Sequence, residues 1–180
     1  MTDSASYDTG AAFLARCRDF LRHNYLPKIR AVVGAMSEED TWWKPTEDAN
    51  SAGVLLVHMA GNARQYIISG IGGAPMTRDR DAEFVATGRY TRDEALALFT
   101  DTIRECDAVL AALDPARLGE RRTIQGNEFT FLEAAFQVSE HVALHTGQII
   151  QLGKLRAPGT IRFYEATSHG VRRLWSRDDA

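Results

Sequence analysis

Residues 51–60, SAGVLLVHMA, limit more than any other stretch how this chain can fold. Wound as a helix, the segment is apolar on every side, so other elements must enclose it. It opens at Asn50–Ser51, residues suited to capping, and the helix is expected to run to about Ser69, where Gly70, Gly72, Gly73 and Pro75 end it. Three other segments carry apolar residues at helical spacing and can supply the enclosure. The first runs from Ala11 to about Met36 through Phe13, Leu14, Cys17, Phe20, Leu21, Ile29, Val32 and Val33, with a kink expected at Pro27. Another begins at Thr91, whose partner Glu94 three residues on completes a capping box, and stops before Pro115. The last begins after a second capping box, Thr130 with Glu133, and runs from Phe131 to about Leu155 before Pro158–Gly159 closes it. Four helices of about 20 residues joined by loops imply an all-α four-helix bundle, one domain over residues 1–180.

The connectors are less regular. Ser37 can cap a short turn, and Trp42 and Trp43 read as a cap on one end of the bundle core. Residues 71–90 form a long polar connection, in which TRDRD reads as a solvated face with local Arg–Asp pairs. RRTIQGNEF, centred on Gly126–Asn127, suggests a short β-ribbon before the last helix, while the tail from Thr160 has no assignable pattern.

With 44% apolar and 25% charged residues, the composition is that of a soluble globular protein. A net charge of −3 offers no basic excess for nucleic acid. No apolar run approaches the roughly 20 residues that span a bilayer, and the N-terminus lacks the pattern of a secretory signal. A cytoplasmic protein is expected. Cys17 and Cys106 lie on apolar stripes and read as reduced core residues.

The chemistry concentrates in SEHVALHTGQII, residues 139–150. Its helical stripe reads Ala134, Val138, His141, His145, Ile149 and Leu152, which turns both histidines inward among core residues. Residues four apart on a helix differ by only ~40° and rise ~6 Å, so two imidazoles there can share one ion. His58, inside LLVHMAG, is a third buried position. Two explanations compete: hydrogen-bonded core histidines, or ligands of a metal ion that would satisfy three ring nitrogens at once. The spacing is not that of HExxH, because Val142 follows His141 and no carboxylate is supplied. Asn62, one turn beyond His58, and Gln148, one turn beyond His145, are candidates for orienting the rings.

Taken together, WWKP at 42–45, the helix at 50–73, TRDRDAEF at 77–84 and HVALHTGQI at 141–149 resemble the DinB/YfiT-like superfamily, and within it a subfamily of unknown function. That resemblance implies a four-helix bundle binding a divalent transition metal, zinc or nickel foremost, through His58, His141 and His145. It further implies small-molecule chemistry, either transfer to a low-molecular-weight thiol or hydrolysis, with a non-catalytic metal-binding or sensing bundle as the alternative. Many relatives are homodimers, a state that this sequence neither supports nor excludes. No residue presents itself as a general base.

Overall fold

The computed structural model describes residues 8–76 and 78–175. Its long helical elements are α1 (Thr9–Phe20) continuing into α2 (Leu26–Gly34), α4 (Ala52–Ala63), α6 (Arg92–Ala112) and α7 (Phe131–Arg156), with short helices α3 (Glu38–Trp42) and α5 (Arg80–Phe84) between them. As its sequence demands, α4 is enclosed: every residue from Ala52 to Ala60 is buried. It packs against α6 and α7, and α2 packs against both of these in turn. Phe99, Ile103 and Leu110 of α6, Val138, Val142 and Ile149 of α7, and Ile29, Val32 and Val33 of α2 supply the core around it. Each such side chain contributes about 1.5–3 kcal/mol through burial. Among the described residues, no helix is long and apolar enough to cross a membrane.

The kink expected at Pro27 takes the form of a π-helical turn, Leu21–Tyr25, just ahead of it. Proline has no N–H to offer the carbonyl four residues back. The wider turn bonds Leu26 N–H to the Leu21 carbonyl instead. The His23 carbonyl accepts a hydrogen bond from the indole N–H of Trp175 at 3.3 Å. The second long helix does not end at Ser69: from Arg64 to Ile71 it continues in π form.

Both capping boxes are present, at Thr91–Glu94 and Thr130–Glu133. Ser37 caps α3 through the Asp40 N–H. The ribbon before α7 is an antiparallel pair, β1 (Arg121–Ile124) and β2 (Asn127–Thr130). Its two-residue turn holds Gln125 at φ 53° and Gly126 at φ 78°, the left-handed geometry that short hairpins require. A second hairpin, β3 (Tyr164–Thr167) with β4 (Gly170–Arg173), occupies the tail that has no assignable sequence pattern. Trp42 and Trp43 pack against the core. A Cβ at residue 53 would meet the Trp42 ring at 2.6 Å, so glycine there lets the indole lie on α4.

Candidate metal centre

Because α4 packs on α7, His58 meets the pair one turn apart on the facing helix. The ring centroids lie 4.4 Å apart for His141–His145, 4.8 Å for His58–His141 and 5.4 Å for His58–His145. One nitrogen from each ring falls within 4.8 Å of the others. His58 is buried, whereas His141 and His145 are half-buried, and this departs from the sequence expectation. The fully buried stripe of α7 runs through Ala135, Val138, Val142 and Ile149. The two histidines border that stripe rather than continue it, which opens one side of the cluster to solvent.

Hydrogen bonds decide which nitrogens face inward. His58 Nδ1 lies 2.9 Å from Glu83 Oε2. Arg78 grips the same carboxylate twice, from Nε to Oε1 at 2.6 Å and from Nη2 to Oε2 at 2.7 Å. Burial opposes ionisation of Glu83, but the bonds from His58 and Arg78 outweigh it and hold the carboxyl below its ordinary value. An ionised Glu83 can only accept, so the proton of this contact sits on His58 Nδ1, and Nε2 is the ring nitrogen left for another partner. His145 follows the same logic, since Gln148 Oε1 lies 2.6 Å from its Nδ1. His141 Nε2 is buried with no hydrogen-bond partner among the described residues. Burial, reinforced by His145 and His58, pushes the His141 pKa down to about 4, so the ring is neutral at ordinary pH. Burial also lowers that of His145, although Gln148 works against the shift.

Three candidate ligands therefore come together, and Gln148 is within hydrogen-bond distance of His145. Asn62 does not orient His58. It is buried one turn further along α4, and its Oδ1 has no partner among the described residues. The orienting group is Glu83, 25 residues from His58 and unmarked by any spacing rule. The reading of TRDRD as a solvated face holds for Asp79, Arg80 and Asp81, which are exposed, and fails at Arg78. Thr77 lies outside the described residues, Asp79 caps α5, and the Arg78 side chain is only 5% exposed against Glu83. A partial signal for Glu83 existed in Gly61, a glycine amid an apolar helix. A Cβ there would collide with the Glu83 carboxylate. His23 and His169 are not part of the cluster.

A family model described as a protein of unknown function, DUF1572, matches residues 8–162. The chain belongs to the DUF1572 family. In fold it is similar to the crystal structure of a DinB-like protein, YjoA, from Bacillus subtilis. The two share a TM-score of 0.61 over 84% of this chain and 96% of that one, at 16% identity. That likeness shows a shared fold. No curated protein matches it in sequence.

The DUF1572 cluster suits a metal in the kind and state of its donors. Three imidazoles, two with their outer nitrogens already engaged, each bring one nitrogen within 4.8 Å of the others, and the buried Nε2 of His141 has no partner among the described residues. Imidazole suits zinc, nickel, cobalt and iron. Among the described residues, no fourth His, Cys, Asp or Glu joins the group. Cys17 and Cys106 are buried outside it, and burial raises both thiol pKa values.

Proposed function

We propose that this DUF1572 protein binds one divalent transition metal ion, zinc or nickel, through His58, His141 and His145, and acts on small molecules by thiol S-transfer or hydrolysis. The observation that carries the reading is the convergence of three imidazole nitrogens within 4.8 Å, one of them buried and unpartnered. When bound, such an ion favours the deprotonated form of a coordinated thiol or water.

The chain's own residues have defined parts. Glu83 keeps the His58 proton at Nδ1, and Arg78 keeps Glu83 ionised. Gln148 does for His145 what Glu83 does for His58. Three protein donors leave room for water or substrate, the arrangement of catalytic rather than closed structural zinc sites. A reactive thiol has to come from a cosubstrate, because both cysteines are buried away from the cluster. The non-catalytic alternative has one observation in its favour: both oxygens of the nearest carboxylate, Glu83, are engaged, so it does not serve as a ready general base.

Elemental analysis of untagged parent protein and of His141→Ala tests the metal. About one ion per chain in the parent and none in the variant is expected; none in either, after soaking in zinc or nickel near neutral pH, removes the reading. A screen of metal-loaded protein with low-molecular-weight thiols and electrophiles then separates the enzyme from the non-catalytic bundle.

A further inference from the structure

Between the π-helical continuation of α4 and the turn of the β1–β2 hairpin lies a cavity of about 350 Å³. Its wall is polar: Gln65 and Ser69 from the helix, Arg78 from the segment ahead of α5, and Arg122, Thr123 and Gln125 from the hairpin. Among the described residues two guanidiniums line it and no Asp or Glu does, on a chain whose net charge is −3. The two arginines differ in use. Arg78 is fixed by Glu83, and its Nη1 donates to Gln65 Oε1 at 2.7 Å. Arg122 is exposed and feels Glu120, a carboxylate already paired with Arg117. It forms no hydrogen bond or ion pair among the described residues.

The turn adds a second observation. Gln125 stands at φ 53°, a left-handed position where a two-residue turn of this kind favours Asn, Asp or Gly. Its longer side chain reaches across to the helix: Nε2 donates to Gln65 Oε1 at 2.5 Å, the atom that Arg78 also uses. Three polar side chains from three segments are thereby held together at the cavity wall before any ligand arrives, which lowers the cost of binding one.

We propose that this cavity binds a small polar molecule through a phosphoryl or carboxylate group, with Arg122 as the principal cation and Arg78 as a fixed donor behind it. A guanidinium matches the geometry of such oxygens. The volume exceeds what the charged group alone fills and lies in the range of small-molecule sites, so room remains for a hydroxylated body. Gln65, Ser69 and Gln125 offer that body hydrogen bonds. The site is separate from the histidine cluster and does not depend on the metal reading.

Calorimetric titration of the full-length protein at low ionic strength tests it, with glycerol phosphate, glycerate, inorganic phosphate and glycerol as probes. Glycerol phosphate or glycerate should bind more tightly than inorganic phosphate, and glycerol should give no signal. Arg122→Ala, at an exposed position, should weaken that binding about tenfold or more. Arg121→Ala removes the same charge from the opposite face of β1 and should change it by less than about twofold. Gln125→Asn suits the turn better but is one methylene shorter, so it should weaken binding severalfold without lowering the melting temperature. His141→Ala should bind as the parent does. Silence from all four probes, glycerol binding as well as the anions, or inorganic phosphate binding as tightly as either would overturn the proposal. So would equal losses in the two arginine variants, which would indicate surface charge alone. Loss in His141→Ala with none in Arg122→Ala would place the anion at the histidine cluster instead, and would overturn it too.

Discussion

Asp107 and Glu83 are both buried carboxylates held by arginine, and they lie in regions of different use. Asp107, on α6, is bound by Arg18 Nε at 2.7 Å and Arg22 Nη1 at 2.8 Å, which ties α6 to the α1–α2 helix. Glu83, on α5, is bound by Arg78 and by His58. In both, burial works against the charge and the hydrogen bonds from the partners win, so both carboxyls titrate below their ordinary values. The difference lies in what the partners do next. A guanidinium carries donors only, so the hydrogen-bond chain at Asp107 stops there. An imidazole that donates from one nitrogen keeps a lone pair on the other, so the chain at Glu83 ends in a free acceptor aimed at two more imidazoles. Buried charge therefore fails to distinguish a structural clamp from a site. An unspent lone pair at the end of the chain does distinguish them.

The largest effect that can break this comparison is at His141. His141→Ala should weaken zinc or nickel binding by more than about 100-fold, measured by competition with a chelator, because it removes a donor outright. Next comes the direct contrast. Glu83→Gln should cost about 10- to 100-fold in metal affinity, the range for groups that orient a ligating histidine. Asp107→Asn should leave metal affinity within about twofold and instead lower stability by about 1–3 kcal/mol in denaturant titration, its arginines being partly exposed. Equal losses of metal in the two variants would erase the distinction. Gly61→Ala sharpens it: the added methyl displaces the Glu83 carboxylate without removing it, and roughly tenfold weaker metal binding is expected. Gln148→Ala, at an exposed pair, should cost only about three- to tenfold.

The smallest effect is on pH dependence, and it also separates the two regions. The folded pKa of His141 is about 4 against an ordinary 6.5, so the unfolded chain takes up this proton first as pH falls. The metal-free protein should hold this stability in full above about pH 6.5 and lose it as pH drops toward 4. Asp107 contributes in full above its ordinary 3.8 and loses its contribution only below that, as pH falls through its lower folded value. Thermal melting of metal-free protein should show the first decline shrink in His141→Ala, with the share of His145 remaining, and the second shrink in Asp107→Asn.

Much of this was legible in the sequence. The enclosed α4, both capping boxes, the β-ribbon turn and the pairing of His141 with His145 are local patterns, governed by residues within four positions of one another. Gln148 was legible for the same reason, since it sits three residues from the ring it holds. Asn62 looked equally well placed by spacing, yet Glu83 occupies the Nδ1 of His58. Spacing says which side chains share a helix face. It is silent on what arrives from another element to compete for the same nitrogen.

By itself, then, the sequence determined the long helices, the caps that begin α4, α6 and α7, and that two histidines stand on one face of α7, because hydrophobic periodicity and capping act over a single turn. Only the tertiary structure decided that α4 faces α7 closely enough to bring His58 to them, that α5 folds over Gly61 to place Glu83 behind His58, and that Arg78 is buried in an ion pair rather than solvated. Those are contacts between elements distant in the chain. Their partners are chosen by which surfaces pack, and sequence spacing carries no record of that choice.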